Sequence, residues 1–214
     1  MELLQTVLDL FLHLDTHLAA FTTEYGVWVY ALLALVVFCE TGLVVTPFLP
    51  GDSLLFVVGT LAAGGMLDFG TAAGVLFVSA VVGDSVNYAI GNAIGPRVYA
   101  RPDSRWLRRE HLARTRAFFE RHGGKTIVLA RFVPIVRTFA PFVAGVGSMH
   151  YRRFLAYNVV GAAAWVLLFM TAGVVFGQLP LVKNNLTLIA LGIVALSLLP
   201  MAVHWLQARR ASVA

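Results

Sequence analysis

Arg131 and Arg137 stand six residues apart in the stretch from Thr126 to Gly147, which is otherwise apolar and glycine-rich, with Pro134 between them and Pro141 just after. A guanidinium offers a planar fork of donors that matches phosphate, stays charged at any relevant pH and is weakly hydrated. Three carboxylates, Glu40, Asp52 and Asp84, lie in comparably apolar sequence. A carboxyl group taken out of water holds a proton more readily, so such groups can bind and release protons near neutral pH. The two signs together point to proton-coupled movement of an anionic, phosphate-bearing substrate, with Arg131 and Arg137 as phosphate ligands and Glu40, Asp52 and Asp84 as proton carriers. The same residues could instead make structural ion pairs, Glu40 with Arg131 for example, since buried charges persist when paired.

The elements that carry these residues read as membrane. Of the 214 residues, 59% are hydrophobic and only 13% charged, and the mean hydropathy is +0.80, outside the range of soluble globular chains. A charged side chain at the bilayer centre costs about 2.5–3.5 kcal/mol on insertion scales, so embedded charges line cavities or transport paths. All sixteen Lys and Arg lie at or after Arg97, nine of them between Arg97 and Lys125, whereas eight of the eleven acids precede Arg97. Such a loop could suggest nucleic acid. Flanked by membrane segments and without a reading motif, it is better explained by positive-inside topology, and no nucleic-acid partner is expected.

The expected architecture is an all-α polytopic membrane protein, a single membrane domain over residues 1–214. It has about four transmembrane helices, two oppositely oriented re-entrant helical hairpins and amphipathic interfacial helices. Residues 1–20 suit an amphipathic N-terminal helix, and the absence of Lys and Arg there argues against a cleaved signal. The first half, 25–95, holds a span from about Tyr25 to Val45, a re-entrant hairpin over about 41–65, and a span from Thr71 to Gly95. Residues 97–125 form the basic cytoplasmic loop. The second half, 126–206, holds a hairpin over about 126–147, a span from Phe154 to Phe176, a turn near Pro180 to Asn185, and a last span from about Leu186 to Leu206. Pro47, Pro50 and Gly51 shape the first hairpin, and Pro134, Pro141 and Gly145 the second, because proline breaks helices and non-helical backbone at membrane depth must be covered. With the basic segments inside, both termini are cytoplasmic and the hairpins enter from opposite faces, as an inverted repeat would arrange them. Ala62-Ala63-Gly64-Gly65-Met66 and Ala144-Gly145-Val146-Gly147-Ser148-Met149 are the faint internal echo of such a repeat.

Enzymatic chemistry has little support. There is no G-x-S-x-G elbow and no complete P-loop, and the nearest approach, Gly123-Gly124-Lys125-Thr126, lacks the first glycine at its offset. Cys39 is the single cysteine and the six histidines are scattered, so no metal site, cofactor or enzyme activity is expected.

The motifs Phe38-Cys39-Glu40-Thr41-Gly42, Pro47-Phe48-Leu49-Pro50-Gly51-Asp52-Ser53, Gly83-Asp84-Ser85-Val86-Asn87-Tyr88-Ala89-Ile90-Gly91 and Arg131-Phe132-Val133-Pro134-Ile135-Val136-Arg137-Thr138-Phe139-Ala140-Pro141-Phe142-Val143-Ala144-Gly145 resemble those of the DedA family, also described as SNARE-associated or VTT-domain membrane proteins. Phe154, Asn158, Gly161 and Trp165 continue the match, which covers roughly residues 25–180. The resemblance implies a bacterial inner-membrane protein with two facing hairpins, moving polyprenyl-phosphate carriers such as undecaprenyl phosphate, or related phospholipids, in envelope maintenance. It makes Glu40 and Asp52 the acidic pair linked to proton coupling, and Arg131 and Arg137 the essential arginines. The expected partners are membrane lipids, an anionic lipid phosphate as substrate, and protons; a homo-oligomer is left open. A proton-coupled transporter of small ions or solutes and a non-transporting membrane scaffold are the alternatives.

Overall fold

The computed structural model describes residues 14–43, 51–100, 124–183 and Gly192. In chain order its helices are α1 (Leu14–Tyr25), α2 (Trp28–Gly42), α3 (Gly51–Ala63), α4 (Phe69–Ala100), α5 (Lys125–Ala130), α6 (Pro134–Val146), α7 (Tyr151–Phe176) and the single turn α8 (Pro180–Lys183). No strand occurs among the described residues. Pro47 and Pro50, the start of the expected N-terminal helix, most of the basic loop and nearly all of the expected last span lie outside them.

Among the described residues, two stretches are long and apolar enough to cross a bilayer, Phe69–Gly95 with 27 residues and Tyr151–Phe176 with 26. At 1.5 Å per residue each covers about 40 Å against a hydrocarbon core of about 30 Å. Along α4 the exposed side chains Val78, Val82, Val86 and Ile90 recur every fourth residue, while Ala80, Asp84, Asn87 and Tyr88 are buried. Helical periodicity therefore gives α4 an apolar outer stripe and a polar inner one. The expected span from Tyr25 to Val45 is divided: Tyr25 closes α1, Gly26 turns the chain at φ 54°, and α2 holds 15 residues. Glycine enters the left-handed region without a Cβ penalty, and the remaining helix covers only about 22 Å.

The described residues fall into two compact units, one drawing on Met1–Val29, Pro50–Phe69 and Phe169–Ala214, the other on Tyr30–Leu49 and Gly70–Leu168. In the first, α3 is buried at every position from Gly51 to Leu61. It meets the last turns of α7 at backbone distance: a Cβ on Gly59 would stand 2.1 Å from the Met170 carbonyl oxygen, and one on Gly173 2.1 Å from that of Phe56. The Thr60 hydroxyl donates to the Gly173 carbonyl at 3.3 Å, and Gln178 Nε2 to the Thr60 carbonyl at 3.1 Å.

The second unit uses the same device between α6 and α4. A Cβ on Gly145 would stand 2.1 Å from the Tyr88 carbonyl oxygen, and one on Gly91 2.1 Å from that of Phe142. Around this crossing Tyr88, Ile127, Ala130, Ala140, Ala144 and Phe154 form the core, with the Tyr88 and Phe154 rings stacked at 4.6 Å. The Tyr88 hydroxyl donates to the Met149 carbonyl.

Both short helices also end alike. In α3, Gly65 N–H bonds the Ala62 carbonyl and Met66 N–H that of Leu61, each at 3.0 Å. In α6, Ser148 N–H bonds the Gly145 carbonyl and Met149 N–H that of Ala144, again at 3.0 Å. These are Schellman caps, whose penultimate residue must be left-handed; Gly65 has φ 76° and Ser148 φ 56°. The echo between residues 62–66 and 144–149 is thus a repeated helix stop, each time followed by methionine and a long helix.

Candidate functional site

The break between α5 and α6 has a local cause. Phe132 and Val133 donate to the carbonyls of Leu129 and Ala130 at 3.2 and 3.0 Å, which tightens the end of α5 into a 3₁₀-like turn. Val133 is extended at φ −116° and ψ 107°, the conformation that a following proline imposes, and Pro134 opens α6 where its missing N–H costs nothing. Arg131 therefore sits at the break and Arg137 in the first turn of α6. Pro141, inside α6, cannot donate the helical bond that the Arg137 carbonyl would otherwise accept.

The second unit gathers four of the five embedded charges, and pairs them. Arg131 Nη1 donates to Asp84 Oδ2 at 2.6 Å, and Arg137 Nη2 donates to Glu40 Oε1. Glu40 is 1% exposed, Asp84 4%, Arg131 4% and Arg137 8%. The example pairing of Glu40 with Arg131 is corrected: Glu40 takes Arg137 and Asp84 takes Arg131. The reason is register. Asn87, fully buried on α4, donates through Nδ2 to the carbonyls of Thr41 at 3.0 Å and Thr138 at 2.8 Å. That clasp fixes the neighbours of Glu40 and Arg137 on one spot and brings the two side chains together. One turn earlier on the same face, Asp84 meets Arg131, which also donates to Asn158 Oδ1 at 2.9 Å.

Trp165, on α7, is the shared wall. The Arg131 and Arg137 guanidinium carbons lie 5.4 and 5.3 Å from its ring centroid, within cation–π range. Thr41, Asp84, Arg131, Arg137, Pro141 and Trp165 are among the residues lining a pocket of about 320 Å³ counting its mouth. Clear space inside suffices for about one water molecule. Asp52 belongs to the first unit, buried in the first turn of α3, where the helix dipole favours an anion. Gly51 is the first residue of that helix, also buried.

Asn87, Asn158 and Trp165 were not among the expected site residues. The two amides were detectable by the rule that exposed the arginines, since a polar side chain inside an apolar span needs an internal partner. Trp165 carries no such signal, because tryptophan is ordinary in apolar helices.

Helices of crossing length, α4 with an apolar outer stripe, packed around buried ion pairs at a helix break, are compatible with an integral membrane protein. A family model described as the VTT domain matches residues 49–175, and the chain belongs to this family of DedA-type membrane proteins. It is 55% identical over 214 residues to Protein DedA of Escherichia coli, covering 99% of this chain and 98% of that one. It is 34% identical over 185 residues to the inner membrane protein YqjA of the same organism, covering 84% and 81%. A membrane protein of Mycobacterium leprae is 43% identical over 165 residues, covering 77% and 74%. No solved structure matches significantly.

Proposed function

We propose that this membrane protein transports lipid phosphates, undecaprenyl phosphate or related phospholipids, with Arg131 and Arg137 receiving the phosphate head while the hydrocarbon tail stays in lipid. The observation that carries the reading is the pair of buried guanidiniums on one tryptophan, Arg131 paired with Asp84 and Arg137 with Glu40. The four charges cancel, so an incoming phosphate adds uncompensated negative charge in a place where that is costly. Uptake of a proton by a carboxylate removes the excess and releases its guanidinium to the phosphate. Substrate and proton then move together, with Glu40, Asp84 and Asp52 of the first unit as the candidate proton carriers. The segments about 41–65 and 126–147, which carry α3 and α6, serve as the re-entrant hairpins of the transport path, and the basic loop 97–125 with both termini lies on the cytoplasmic side of a bacterial inner membrane.

The tightness of the pocket is the one feature that favours a second reading, a proton-coupled transporter of small ions or solutes. A phosphate head enters only if the guanidiniums leave their carboxylates or the pocket widens. Proteoliposomes separate the two. Labelled undecaprenyl phosphate and phosphatidylglycerol would be followed across the bilayer with and without an imposed proton gradient, beside vesicles lacking protein. Faster, gradient-dependent movement of the phosphate lipid is expected; movement equal to that in protein-free vesicles would refute the proposal.

A further inference from the structure

Arg131 is gripped from one side only. Its Nη1 donates to Asp84 at 2.6 Å and to Asn158 at 2.9 Å, and Asn158 is anchored in turn by Nδ2 donating to the Val81 carbonyl at 3.0 Å. The Nε and Nη2 of the same guanidinium are buried with no hydrogen-bond partner among the described residues. Those two N–H groups share one edge of the planar group and point in parallel, the arrangement that receives two oxygens of one oxyanion. Buried donors without acceptors are rare in folded proteins, and each calls for an explanation.

We infer that the Nε/Nη2 edge of Arg131 is the docking edge for the substrate's oxyanion, and that Asp84 and Asn158 are positioning residues that hold Arg131 by its other nitrogen. The inference rests on the lipid-phosphate reading and divides its labour. It narrows the set of proton carriers: Asp84 stays the standing counter-ion of Arg131, unbroken during binding, and the pair that opens on proton uptake is Arg137 with Glu40. The edge selects chemistry: a phosphomonoester, phosphodiester or carboxylate spans two donors, whereas a halide does not. Trp165, 5.4 Å from the Arg131 guanidinium, is placed to sense the occupant.

The test uses the full chain in lipid nanodiscs with Trp28, Trp106 and Trp205 replaced by Phe, so that Trp165 reports alone. Dodecyl phosphate and inorganic phosphate are titrated separately, with chloride as competitor. A saturable change in Trp165 emission with dodecyl phosphate, indifferent to chloride, is expected. Arg131→Lys keeps the charge beside Asp84 and loses the two-donor edge, so affinity should fall by about tenfold or more. Asn158→Ser, which loosens the grip on Nη1, should lower phosphate affinity and let chloride compete, a change of selectivity that a merely structural role would not produce; it also carries the test if Arg131→Lys does not fold. Wild-type affinity in Arg131→Lys, or in Asn158→Ser unchanged selectivity, overturns the docking edge and leaves the lipid-phosphate reading standing. A response to inorganic phosphate alone keeps the edge and overturns the lipid as its source. Silence of the wild type toward both phosphates overturns edge and reading together.

Discussion

The helices α3 and α6 both have 13 residues, both end in a Schellman cap followed by methionine, and both press a glycine onto the carbonyl of a long helix. Their first turns differ in charge. Asp52 in α3 places an anion at the positive end of a helix, which the dipole favours; Arg137 in α6 places a cation there, which the dipole opposes. Burial makes the opposition matter, and Glu40 on α2 offsets it. Shape is thus set by glycines and caps in both regions, while the sign of the charge in the first helical turn differs between them. On the proposed function, a cation in an unfavourable field, paired with the Glu40 carboxylate, is the group most readily handed to an incoming phosphate.

The largest way to break this comparison is to remove the offsetting acid. Glu40→Ala leaves Arg137 buried without its carboxylate, and a loss of about 3–5 kcal/mol is expected. Asp52→Ala removes an anion that the helix dipole favours, a contribution of about 0.3–2 kcal/mol. Thermal unfolding in detergent should rank the two in that order, and the reverse order would remove the distinction between the two first turns.

The glycine crossings come next, and here the two regions should agree. Gly145→Ala and Gly59→Ala each force a methyl group to 2.1 Å from a carbonyl oxygen, with an expected loss of about 1–3 kcal/mol apiece from overpacking. Gly145→Ala should slow transport more than Gly59→Ala, because it shifts α6 and with it the Arg137 that receives the phosphate on the proposed function. Equal transport defects in the two variants would mean that the first unit is as close to the chemistry as the second.

The caps give the smallest effects, with opposite signs. Ser148 holds a left-handed φ that costs an L residue about 1–2 kcal/mol, so Ser148→Gly should raise the unfolding temperature. Gly65→Ser should lower it by a similar energy. Matching signs would show that one of the two caps is not held as described.

What could be read from the sequence follows from what burial demands of each residue. Glu40, Asp84, Arg131 and Arg137 stood out because charge in an apolar run needs a partner, and the structure supplies those partners. Which acid meets which arginine was not legible, because it depends on Asn87 reaching two carbonyls from chain positions distant in sequence. The breaks at Pro134 and Gly65 were visible from residue type. Ser148 in the left-handed region was not, since serine rarely adopts it. The shortening of α2 is not legible either: Gly26 reads as one more small residue in a hydrophobic run until its φ of 54° turns the chain.

The most direct test of the central claim replaces the exchangeable pair by neutral groups of similar size, Glu40→Gln together with Arg137→Met. Neutralising both partners of a buried pair is often harmless to stability, so the double variant should fold and remain monodisperse. Its rate of undecaprenyl phosphate movement in proteoliposomes should fall to that of protein-free vesicles. A stable double variant that moves the lipid at the wild-type rate would contradict the account and leave the pair a structural one.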